Sequence, residues 1–61
     1  MNAYEICYLN NDGSLAATLS ALCEDALKAK VLAHAMKLAG TKKIEVWDGR
    51  TLVYARPERK N

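Results

Sequence analysis

The chain has 61 residues, room for one domain and not for a second. Hydrophobic residues make up 51% of it, too many for a disordered chain; nine basic against seven acidic residues leave a net charge of +2, too slight to point to nucleic acid by itself. Two cysteines and one histidine fall short of a four-ligand zinc site, and no run approaches the roughly 20 apolar residues of a membrane span.

Residues 3–9 alternate as a β-strand does. Tyr4, Ile6 and Tyr8 share one face, and Ala3, Glu5, Cys7 and Leu9 the other. Asn10-Asn11-Asp12-Gly13 is a turn closing on Asp-Gly. With Asp12 and Gly13 as its central residues, Tyr8 lies opposite Ala17, Ile6 opposite Leu19 and Tyr4 opposite Ala21. Large residues then face small ones on one side, which is how a cross-strand pairing fills space. The other side carries Glu5, Cys7, Leu9, Ala16, Thr18 and Ser20.

Leu15, Leu19 and Leu22 also sit at helical spacing, which offers a rival: one long helix over residues 14–39. The strand is preferred because Asp-Gly precedes it and its alternation matches its neighbour. The uncharged run of residues 14–23 is not read as a secretory core. No Lys or Arg precedes it, and Leu22 is bulky where cleavage wants a small residue.

A helix is expected to begin near Cys23-Glu24-Asp25, with two acids in its first turn suiting the dipole. Its body runs over residues 26–39, Lys37 falls in the last turn, and Gly40 ends it. Lys30, His34 and Lys37 mark the watery side. Val31, Leu32, Ala35, Leu38 and Ala39 then face the sheet, flanked by Leu27 and Met36, and Lys28 must reach out from the first turn.

The last element is the most definite. Two runs rich in β-branched and aromatic residues flank Asp48-Gly49, the signature of a tight type I′ hairpin. A two-residue Asp48-Gly49 loop pairs Val46 with Thr51 and Ile44 with Val53 on one face. It pairs Trp47 with Arg50, Glu45 with Leu52 and Lys43 with Tyr54 on the other. Pro57 ends the last strand.

The sum is an α+β domain, β-β-α-β-β, over residues 1–56, followed by a solvated tail at 57–61. Two hairpins form a four-stranded sheet with one helix packed on one face. The core face holds Tyr4, Ile6, Tyr8, Ala17, Leu19, Ala21, Ile44, Val46, Val53 and Ala55. The run Glu45-Val46-Trp47-Asp48-Gly49-Arg50-Thr51-Leu52-Val53 resembles the ending of a group of short uncharacterised bacterial proteins. These share the plan of a strand pair, an acidic start to an Ala-rich helix and a Val-Trp-Asp-Gly-Arg type hairpin. The resemblance covers most of the chain and implies this fold. The group has no assigned activity, so the resemblance implies no catalytic or binding residue.

Catalysis finds no footing. Cys7 on the outer sheet face and His34 on the helix have the core layer between them. Cys23 reads as a small residue at a strand-to-helix junction, Glu24 and Asp25 as helix caps, and the three glycines as turn or cap residues rather than a phosphate loop. The expectation is a non-enzymatic protein with no cofactor and no small-molecule substrate. Its two cysteines are reduced thiols of the cytoplasm.

One helix covers one sheet face. The other face is expected to present Trp47, Leu52, Tyr54, Leu9 and Cys7 with Lys43 and Arg50, and a cation–π contact between Arg50 and Trp47. The first use is a homodimer, by burial of two such faces against each other or by pairing of an edge strand across a two-fold axis, or another protein partner. The alternative is single-stranded nucleic acid stacked on Trp47 and Tyr54, with Lys43, Arg50 and Arg56 on phosphates. Against it, Glu5 and Glu45 share that face.

Overall fold

The computed structural model describes residues 1–37, 41 and 43–57. The chain runs β1 (Asn2–Leu9), β2 (Leu15–Cys23), α1 (Ala26–Ala35), β3 (Lys43–Asp48) and β4 (Thr51–Arg56). It is the expected α+β order, and residues 15–23 are strand rather than helix. All neighbours are antiparallel and the sheet order is β2-β1-β3-β4. β1 therefore lies inside the sheet. The chain leaves β2, crosses one face as α1 and re-enters on the far side of β1.

The inner strands supply the bulk of the core. Tyr4, Ile6 and Tyr8 of β1 and Ile44 and Val46 of β3 are buried, with Cys23, Ala29 and Ala33. Ala17, Leu19 and Ala21 of the edge strand β2 pack against them half-buried. The expected pairs Tyr4↔Ala21, Ile6↔Leu19 and Tyr8↔Ala17 are all present. The turn that makes them is longer than expected. The Asn10 amide donates to the Ser14 carbonyl at 2.8 Å, and the Asn10 carbonyl accepts from the Gly13 amide at 2.9 Å. Residues 11–13 thus form the loop, and Gly13 alone takes a positive φ, 89°. The added residue is absorbed at Ala16, since Leu9 pairs with Leu15.

The second hairpin departs further. Asp48 pairs with Thr51, so the loop is Gly49-Arg50 and not Asp48-Gly49. Gly49 has φ 61° and no other type of residue has positive φ among those described, which suits a II′ turn with glycine first rather than the expected I′. Trp47 then pairs with Leu52 and Val46 with Tyr54, leaving Val53 as a bulge. Three expectations fall with that shift. Tyr54 turns to the helix side, Ala55 pairs with Glu45 on the outer side, and Val53 sits partly exposed at the edge instead of in the core.

The helix also differs in extent and rotation. Glu24 and Asp25 precede the first turn. Asp25 is the N-cap, its Oδ1 accepting from the Lys28 amide at 2.9 Å. The helix stops at Ala35 with Met36 as its cap, so His34 and not Lys37 is the basic residue of the last turn. Leu38, Ala39 and Gly40, expected to extend and end it, lie outside the described residues, as do residues 58–61 of the expected tail.

Ala29 and Ala33 face the sheet with no exposed area, and Ala26 and Leu32 flank them. Leu27, Val31, Ala35 and Met36, expected at or beside the core, are exposed; Leu27 and Val31 keep 64% and 61% of their surface. Tyrosines explain the rotation. Methyl side chains let the helix settle onto Tyr4 and Tyr8, and the Tyr8 hydroxyl donates to the Ala33 carbonyl at 2.6 Å. That carbonyl belongs to the last turn, where the helix itself offers no amide partner.

Candidate interaction surface

Opposite the helix, β1 and β3 bring Glu5 beside Trp47, Cys7 beside Glu45 and Leu9 beside Lys43. β2 adds Thr18 and Ser20, and β4 adds Leu52 beside Trp47 and Ala55 beside Glu45. Cys7, Leu9, Lys43, Trp47 and Leu52 thus share one face, as expected. Tyr54 does not join them, and Arg50 sits in the turn with Leu52 in the place across from Trp47. The expected Arg50–Trp47 stacking therefore loses its register.

Polar groups on this face are held by one another. The Glu5 carboxylate accepts from Ser20 Oγ at 2.6 Å and Thr18 Oγ1 at 2.8 Å. Those bonds, Ser20 first, lower its pKa below the ordinary carboxylate value. Trp47 Nε1 donates to Glu45 Oε1 at 3.1 Å, and Glu45 is only 9% exposed. Lys43 Nζ donates to the Asn11 carbonyl at 2.9 Å, tying β3 to the first turn. A groove of about 280 Å³ opens here, walled by Leu9, Lys43, Glu45, Ala55, Arg56 and Pro57.

Cys7 lies between the two glutamates. Burial, and after it the charge of Glu5 with a smaller part from Glu45, pushes its thiol pKa up. That is the direction opposite to a reactive thiolate. His34 lies across the sheet from it. Its Nε2 is 2.7 Å from the Tyr54 hydroxyl, with the rings edge-on at 5.7 Å, and Lys30 Nζ stands 5.1 Å from the Tyr54 ring centre. This helix-side cluster was not foreseen, and no local signal could have found it. It exists only because the Val53 bulge turns Tyr54 over.

Among the described residues no three of His, Cys, Asp and Glu are grouped to hold a metal ion. Among the described residues no helix is long and apolar enough to cross a membrane. No family model, curated protein or solved structure matches this chain.

Proposed function

We propose that this chain is a non-enzymatic self-association module whose outer sheet face, centred on Trp47, packs against a second copy. The observation that carries this is the one-sided sheet. Trp47 and Leu52, paired across β3 and β4 and half-buried, lie with Leu9, Cys7 and Ala55 on the side away from the only helix described. The intramolecular core is thin: among the described residues its large buried side chains are Tyr4, Ile6, Tyr8, Ile44 and Val46. A chain of this length gains from association what its core cannot supply.

Mixed charge on the face, Glu5 and Glu45 with Lys43, suits a protein partner better than phosphate. The nucleic-acid alternative needed two rings on one face, and Tyr54 is not there. Unpaired Cys7 and Cys23 fit the reducing cytoplasm.

Sedimentation of the full chain from micromolar to millimolar concentration tests the proposal. Trp47→Ala is expected to weaken association by about tenfold or more, the usual effect of truncating an aromatic anchor. A wild-type mass that stays monomeric at millimolar concentration overturns it.

A further inference from the structure

The sheet order leaves two edges, β2 and β4, and they are built differently. β4 carries the Val53 bulge, is bounded by Arg50 and Arg56, and runs directly into Pro57. Each of these is a device that blunts an edge against further pairing. β2 has none of them along most of its length. Its nine residues, Leu15–Cys23, include no charge and no proline. From Ala17 to Cys23 it keeps an unbroken register with β1, the irregularity lying at its Leu15 end. An edge strand holds half its backbone amides and carbonyls unpaired, and a flat uncharged one is a template for another strand.

A second observation lies beside this edge. An open, mostly apolar groove of about 170 Å³ is lined by Tyr8, Ala17, Thr18, Leu19 and Met36. Leu19 is half-buried in it and Met36 is 53% exposed above it. On the other side of the same strand Leu22 is 70% exposed.

We infer that β2 pairs antiparallel with β2 of a second copy about a two-fold axis at Leu19, joining two sheets into one of eight strands. The strand is complementary to itself in that register. Leu19 meets Leu19, Ala17 meets Ala21 and Thr18 meets Ser20, and at the end of the regular stretch exposed Leu22 comes against the bulged Ala16, large against small. No charge in the strand opposes the approach. Leu19 and Met36 of the second copy reach the groove beside the edge and fill it. Closure follows from the asymmetry of the edges. A two-fold pairing consumes both β2 strands and leaves only the blunted β4 edges, so it ends at two chains instead of growing into a fibre. This contact lies in the plane of the sheet and leaves the Trp47 face free, so it goes beyond the outer-face proposal and does not depend on it.

The test is made on the full chain carrying Trp47→Ala, which removes the outer-face anchor. Sedimentation is expected to show that this variant still forms a dimer. Adding Ala16→Lys and Leu22→Lys, both at exposed positions, is expected to weaken that dimer by about tenfold or more, since like charges then face each other across the axis. Adding Ala16→Glu and Leu22→Glu should do the same, and mixing the two doubly charged proteins should restore a heterodimer. Amides of residues 17–21 should exchange more slowly as concentration rises. A Trp47→Ala chain that is monomeric at millimolar concentration overturns the edge pairing while leaving the outer-face proposal standing. So do charged variants that associate as well as their parent, or a mixture in which no heterodimer forms.

Discussion

The two hairpins of this chain both have an Asp-Gly step at the turn, both let only glycine take a positive φ, and both carry one extra residue. They differ in where the extra residue falls. In the first hairpin it is Ala16, between the turn and the first core pair, Tyr8↔Ala17. Every pair beyond it keeps the facing that plain alternation assigns. In the second it is Val53, with Leu52 on the turn side and Tyr54 beyond. Residues past it exchange faces, so Tyr54 goes under the helix and Ala55 comes out. A bulge is thus harmless where it offsets an extra residue in the turn, as at Ala16, and decisive where nothing offsets it, as at Val53.

The largest expected effect contrasts the inside of the first hairpin with the bulge of the second. Ile6, fully buried on β1, should cost about 2–5 kcal/mol as Ile6→Ala, while Val53→Ala at the partly exposed bulge should stay within about 0.5 kcal/mol. Urea unfolding of both variants checks this. Equal losses would mean that Val53 is a core residue and that β4 follows regular alternation after all.

A smaller contrast sets the two hydroxyls against each other. Tyr8→Phe leaves a last-turn carbonyl, that of Ala33, without its buried donor and should cost about 1–3 kcal/mol. Tyr54→Phe loses only an exposed bond to His34 and should cost well under about 1 kcal/mol.

The smallest effect is on pH dependence, and it belongs to the first hairpin. Glu5 is held below its ordinary pKa by Ser20 and Thr18, and Asp12 by the Ser14 hydroxyl and amide. Their contribution is present above the unfolded carboxylate range and is lost as pH falls through the lowered folded values. Cys7 and Tyr8, raised chiefly by burial, act at the other end: their contribution is present below the unfolded pKa values and is lost as pH rises through the folded ones. Thermal melts of wild type and Ser20→Ala should converge at low pH. A difference that persists there would remove the Glu5 bond as its cause.

The candidate surface divides in the same way. Cys7, Leu9, Lys43, Trp47 and Leu52 could be assigned to one face because they lie on β1, on β3 or on the turn side of Val53, where local alternation suffices. Tyr54 lies beyond the bulge and Arg50 inside the turn, so both were misplaced by a rule that counts in twos. The exposed Leu22 and the bare β2 edge were not legible, because which strand lies at an edge depends on strand order.

What the amino-acid sequence determined alone is what neighbours along the chain decide: two turns at Asp-Gly, strands from alternation, a helix capped by Asp25, and the large-against-small pairing of β1 with β2. Strand order, the bulge at Val53 and the rotation of α1 were decided by tertiary contact. Alanine is nearly indifferent to burial, and Leu27 and Val31 lie on a different side of α1 from Leu32, so apolarity alone sets no preferred face. Fit against Tyr4 and Tyr8, and a hydroxyl able to reach the orphan carbonyl of Ala33, selected the Ala29 and Ala33 side and left Leu27 and Val31 in water.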